Sequence, residues 1–201
     1  MATYNSLGDI GFTNMDVVRI HEVKLRISEF INEMKNTDWW QDLLMRQEDK
    51  LFLTGGAIAS LLQDEQPKDW DFYFNDYDLM WRFKQRIEND YTSYVSDVDE
   101  KYKEFLGQDG KMITANAITM NDNASFITLV TGTPQEIRKT FDYVHCTPYY
   151  DLKQDKLYIS KQQYDACVKK MLIVNNKMMV KAHRTDKFLE RGYKMLDILK
   201  V

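Results

Sequence analysis

The chain has 201 residues, 44% of them apolar, which is enough to bury a sizeable core as one domain or as a catalytic core with helical additions. A net charge of −4 excludes a protein that coats nucleic acid with its whole surface, so any polynucleotide contact must be a local basic patch. Cys146 and Cys167 are too few for a disulfide framework or a cysteine-based zinc site, and His21, His145 and His183 are too scattered to supply one. No apolar run approaches the roughly 20 residues of a membrane helix, and the amino terminus lacks the basic and apolar regions of a leader. The expectation is a soluble, intracellular (cytoplasmic) protein with no membrane partner.

Residues 1–14 are polar and carry Gly8 and Gly11, which predicts an irregular arm. From Asp16 a helix is expected, because Ile20, Val23, Ile27, Phe30, Ile31 and Met34 recur at three- and four-residue spacing in one apolar stripe. Thr37 or Asp38 can cap a second helix containing Trp39, Trp40, Leu43 and Leu44. The two tryptophans can stack a base or pack in a core, and packing is the commoner use.

Leu51 to Phe74 has the grammar of strand, tight turn, helix, strand. Leu51-Phe52-Leu53 is a short apolar run, and Gly55-Gly56 removes the Cβ atoms that would keep a ligand from the backbone. Ala57 to Leu62 can then form a helix whose first amides face an anion. Alternation in Lys68-Asp-Trp-Asp-Phe-Tyr-Phe74 predicts a strand with Asp69, Asp71 and Tyr73 on one face and three aromatics on the other. Two neighbouring carboxylates repel unless a cation neutralises them, and their hard oxygens suit Mg²⁺ or Mn²⁺. The plainer reading is a pair of solvated acids on an open strand face. Gly55-Gly56 earlier in the same unit favours metal and phosphate.

Asn75 or Asp76 can cap a helix with Leu79, Met80, Phe83 and Ile87 on one face. Asn89 to Gly110, with Tyr91, Tyr94, Tyr102, Asp97, Asp99 and Glu100, reads as a surface excursion. Met112 to Met120 and Ser125 to Val130 predict a hairpin turning at Asn121-Asp122-Asn123, and Pro134 opens a short helix through Arg138. Phe141 to Cys146 predicts a strand with Asp142, Val144 and Cys146 on one face and His145 on the other, away from any metal. Leu157 to Ile159 can add an edge strand, and Ser160 can cap a helix to about Ile173. In a last helix from Lys181 to Leu199, Phe188, Leu189, Met195, Leu196 and Leu199 form the apolar side. Arg184, Lys187 and Arg191 form an adjoining stripe that is either a solvated basic face or a phosphate contact.

The pattern Leu53-Thr54-Gly55-Gly56 followed by Asp69-Trp70-Asp71 resembles the signature of the polymerase-beta-like nucleotidyltransferase superfamily. Phe141 to Ser160 together with Arg184 to Tyr193 is also similar to small phage-encoded proteins of this kind. The resemblance implies an α/β (α+β) domain: a mixed sheet of about five strands with helices on one face and helical additions at both ends. Its parts would be residues 1–48, a catalytic sheet over 50–160 and C-terminal helices over 161–201. It implies two Mg²⁺ or Mn²⁺ ions held by Asp69, Asp71 and a third acid, best matched by Asp142. It further implies a nucleoside triphosphate bound by Thr54, Gly55, Gly56, Arg184, Lys187 and Arg191, with its nucleotide moved to a hydroxyl acceptor such as RNA. The tRNA CCA-adding enzymes usually carry Arg-Asp after the glycines where this chain has Ala59-Ser60, so CCA addition is not implied. The competing classes are a catalytically retired fold used as a binding or virion-associated module, and a phosphatase or nuclease that turns the same metals on water.

Overall fold

The computed structural model describes residues 11–91, 105–106, 112–114, 116–120 and 123–196. Helix α1 (Asn14–Lys35) starts two residues before Asp16 because a capping box fixes it: the Thr13 hydroxyl accepts the Asp16 N–H while the Asp16 carboxylate accepts that of Thr13. Helix α2 (Asp38–Leu43) follows, then strand β1 (Leu51–Thr54), helix α3 (Gly56–Leu62), strand β2 (Trp70–Phe74) and helix α4 (Tyr77–Tyr91). Asp76 caps α4 by accepting the Leu79 N–H at 2.7 Å.

The predicted hairpin is more broken than its apolar pattern suggests. Strand β3 (Phe105–Leu106) precedes β4 (Met112–Ile113), and β4 is parted from β5 (Ala117–Thr119) by a turn in which the Thr114 hydroxyl takes the N–H groups of Asn116 and Ala117. β5 pairs antiparallel with β6 (Ala124–Ile127). Asp122 and most of the expected excursion lie outside the described residues. Helix α5 (Pro134–Arg138) has Pro in its first turn and a capping box from Thr133 and Glu136.

Phe141 to Cys146 is not a strand. Tyr143 makes a single bridge to Val174, Val144–Cys146 is a turn of 3₁₀-helix, and the Thr147 hydroxyl closes that turn on the Val144 carbonyl at 2.7 Å. β2 has β1 and β6 as its neighbours, and beyond β1 lies β7 (Tyr149–Asp151), which pairs with the edge strand β8 (Lys156–Tyr158). Helix α6 (Lys161–Val168) stops well before Ile173, with Lys170 at φ +50° leading into β9 (Met171–Leu172). Helix α7 (Ala182–Glu190) ends at Arg191 and Gly192, the latter at φ +82°. β10 (Lys194–Met195) then pairs parallel with β9, leaving Met195 and Leu196 exposed and Leu189 on an open helix face.

The main sheet runs β3-β4-β5-β6-β2-β1-β7-β8, wider than the five strands expected, and is mixed because β2 and β6 are parallel while the remaining pairs are antiparallel. Period-two alternation along β2 divides its faces as predicted. Trp70, Phe72 and Phe74 enter the main core with Ile27 and Ile31 of α1, Trp40 of α2, Ile58 and Leu61 of α3 and Phe83 of α4. Phe30 stacks on Trp70 with centroids 4.0 Å apart, and Trp39 meets the edge of Phe126 at 5.7 Å, so both tryptophans of α2 are packing residues. Fully burying each such side chain contributes on the order of 1.5–3 kcal/mol. The opposite face carries a smaller cluster of Phe52, Tyr73 and Tyr149 under Ile137 of α5. Asp71, registered against Thr54, opens on that second face.

Candidate active site

The β1–α3 turn uses its two glycines differently. Gly55 has φ +92° and ψ −149°, and a Cβ there would lie 3.0 Å from Oδ2 of Asp71. Its N–H donates to the Cys146 carbonyl at 3.1 Å, so the Gly55 amide holds the loop rather than facing a ligand. Thr54 is likewise committed: it is fully buried and its hydroxyl donates to the Pro148 carbonyl at 2.7 Å. Gly56 is exposed, with nothing within 4 Å of where a Cβ would stand.

Gly56 opens onto a cavity of about 280 Å³. Asp69 and Asp71 line it from the start of β2, and Arg184 and Lys187 from α7, with Arg191 at that helix's C-terminal end. The helical spacing that groups these cations in sequence thus delivers all of them to the acids. Thr54, Gly55 and Asp142 are not among the lining residues. Sequence reasoning missed Ser60 on α3 and Glu65, Gln66 and Lys68 in the α3–β2 connection, which also line the cavity. The one available signal was their position inside the Leu51–Phe74 unit. Glu65 is held by Lys170 at 2.8 Å, and Lys170 also donates to the Arg191 carbonyl at 3.1 Å, joining this connection to the end of α7.

Asp71 is pushed up to about 6, first by burial and then by Asp69 beside it, against the opposing pull of Arg184 and Lys187. Burial pushes the Cys146 thiol, another lining group, up to about 12, so it stays protonated. His145 lies outside the cavity, packed 4.5 Å from Phe188 and 4.4 Å from Tyr193. Burial holds it down to about 4, and neither ring nitrogen has a hydrogen-bond partner among the described residues.

Asp142 does not join the pair. Its carboxylate is buried, accepts the Tyr143 N–H at 3.0 Å and takes two donors from Arg184, Nε at 2.5 Å and Nη2 at 3.3 Å. Among the described residues no three His, Cys, Asp or Glu side chains are grouped to hold a metal ion. Asp69 and Asp71, which both line the cavity, suit a divalent ion whose remaining positions are filled by the oxygens of a ligand, a common arrangement for Mg²⁺ with phosphates. Asp142, engaged by Arg184, is not free in this arrangement to complete a second ion.

Because Gly56 faces open space, Gly56→Val is expected to leave thermal stability within about 1 kcal/mol of wild type while placing a side chain in the cavity. Calorimetric titration with a nucleoside triphosphate and Mg²⁺ should then show at least about tenfold weaker binding.

A family model described as Gad2, Gabija anti-defense 2 family protein, matches residues 21–170. The chain belongs to the Gabija anti-defense 2 family. The matched stretch contains Asp69, Asp71 and Asp142 and ends before α7. No curated protein matches the chain in sequence. Solved structures similar to this Gabija anti-defense 2 chain include a Thermotoga maritima CCA-adding enzyme complexed with tRNA, at 13% identity and TM-score 0.49, covering 77% of this chain and 39% of that one. A Bacillus stearothermophilus CCA-adding enzyme in complex with CTP is similar at 12% identity and TM-score 0.47, covering 80% of this chain and 42% of that one. The chain thus spans about two fifths of the length of these structures. No helix among the described residues is long and apolar enough to cross a membrane.

Proposed function

We propose that the protein is a divalent-metal-dependent nucleotidyltransferase, moving a nucleoside monophosphate from a nucleoside triphosphate to a hydroxyl acceptor, and that this chemistry serves the anti-defense role for which its family is named. The observation that carries this reading is a single cavity lined by a carboxylate pair and by three cations from α7 and its end. A triphosphate complements both charges: its oxygens meet the cations directly and the acids through a metal ion. Asp69 and Asp71 would hold Mg²⁺ or Mn²⁺, which when bound draws charge from the phosphates and lowers the barrier to displacement. The chain's own groups do the rest. Gly56 leaves room for the phosphates, and Arg184, Lys187 and Arg191 hold and orient them in ground and transition state alike. RNA, met through the basic residues at this cavity, is the acceptor class to test first.

The test is incubation with Mg²⁺ or Mn²⁺ and each labelled nucleoside triphosphate, with and without RNA. Label joined covalently to an acceptor, with pyrophosphate released and the reaction stopped by a chelator, is the expected result. Lys187→Ala and Arg191→Ala should then raise KM about three- to tenfold while changing kcat less, because they hold phosphates in ground and transition state alike. Nucleotide bound but never transferred would instead identify a binding module, a reading favoured by one observation, the engagement of Asp142 with Arg184. Phosphate released without transfer would identify a hydrolase.

A further inference from the structure

We propose that Asp142 is the positioning residue of Arg184, fixing its guanidinium so that the unpaired edge meets a phosphate oxygen in the cavity, and that it is not a metal ligand. The inference rests on the phosphate-binding reading of that cavity. Arg184 carries five N–H donors in a rigid fork. Asp142 engages Nε and Nη2 side by side, which leaves both hydrogens of Nη1 and the second of Nη2, and Arg184 lines the cavity in that pose. A long, rotatable side chain is thereby held before any ligand arrives, so less freedom is lost when one binds.

Asp142 is itself anchored from several sides. It is 3% exposed, and its carbonyl accepts the N–H groups of Asn175 and Asn176 at 2.8 and 3.2 Å. The next residue, Tyr143, bonds through its hydroxyl to Thr185 on α7 at 2.6 Å, so a second tie between loop and helix lies beside the ion pair. The Phe188 ring lies 5.5 Å from the guanidinium carbon and limits its swing. Because Asp142 balances the charge of Arg184, attraction falls to Lys187 and Arg191 while Arg184 supplies direction.

The test measures Mn²⁺ binding alone, by the resonance signal of the free ion, and tripolyphosphate binding in saturating Mg²⁺ by calorimetry. Wild type is compared with Asp142→Asn, Asp142→Glu, Arg184→Lys, the double variant Asp142→Asn/Arg184→Lys, and Asp69→Asn. Asp142→Asn should bind Mn²⁺ within about twofold of wild type while Asp69→Asn loses about tenfold or more. Asp142→Asn and Arg184→Lys should each weaken tripolyphosphate by about tenfold, the double variant should be no weaker than either single, and Asp142→Glu should recover part of the loss. Loss of Mn²⁺ by Asp142→Asn equal to that of Asp69→Asn, additive effects in the double variant, or no tripolyphosphate binding by wild type would each overturn the inference. Should Asp142→Asn fail to fold, Arg184→Lys decides alone: wild-type affinity for tripolyphosphate in that variant refutes it. Absence of nucleotide transfer by wild type, with these binding effects intact, would overturn the proposed function and leave this inference standing.

Discussion

Asp71→Asn is expected to abolish nucleotide transfer and, in metal-free buffer above pH 6, to make the protein more stable. Both effects follow from one carboxylate. For transfer, the loss of a charged metal ligand should lower kcat/KM by on the order of 10³-fold or more. For stability, the sign is set by the direction of its shift. An unfolded Asp titrates near 3.8 and the folded one near 6, so the folded state binds the proton more tightly and loses stability as pH rises through that window. Above about pH 6 the charged carboxylate then costs the fold on the order of 1–3 kcal/mol, which asparagine avoids. Melting curves at pH 5 and pH 8 should differ accordingly, the variant leading by roughly 2–10 °C at pH 8 and by much less at pH 5. Mg²⁺ should narrow the gap at pH 8 by stabilising wild type, since a ligand that binds only the folded state raises its stability. Near-normal Mg²⁺-dependent transfer by Asp71→Asn would remove the acid pair from the proposed chemistry.

Gly55→Ala is expected to damage fold and site together, in contrast to Gly56→Val one residue later. Gly55 occupies a backbone region essentially restricted to glycine, at φ +92° and ψ −149°. The added methyl would also stand 3.0 Å from Oδ2 of Asp71, so either the turn opens or the carboxylate moves. A loss of about 1–3 kcal/mol by chemical denaturation and a parallel loss of Mn²⁺ affinity should be seen. Unchanged stability and Mn²⁺ binding would mean that the turn does not set the position of Asp71.

What the sequence made legible is what local periodicity encodes. The alternation of Trp70, Phe72 and Phe74 against Asp71 and Tyr73 is a property of five consecutive residues, and the structure reproduces it face for face. The stripe of Arg184, Lys187 and Arg191 is a helical spacing, legible for the same reason. The strand expected over Phe141 to Cys146 was misread because those residues alternate like a strand for a different cause. Tyr143 and Cys146 fill a second small core with Leu172, Phe188 and Tyr193, contacts made with residues remote in sequence. Thr54 and Gly55 share the turn of Gly56, and no pattern shows that their polar groups are taken by the carbonyls of Cys146 and Pro148. Glu65 and Gln66 lie in a connection without periodicity and become site residues only when α7 is laid across from them.

The cavity draws Asp69 and Asp71 from the start of β2 and Arg184, Lys187 and Arg191 from α7 and its end, elements that lie in opposite halves of the chain. Synthesis proceeds from the amino terminus, so a nascent chain presents Asp69 and Asp71 on a sheet that can already be forming while Arg184, Lys187 and Arg191 have yet to be made. Until α7 docks, through Asp142, Thr185 and the Phe188 cluster, the acids stand without the three cations of that helix and its end. If the cavity binds a triphosphate as proposed, a nascent chain that has not yet made α7 would lack three of the cations that hold it.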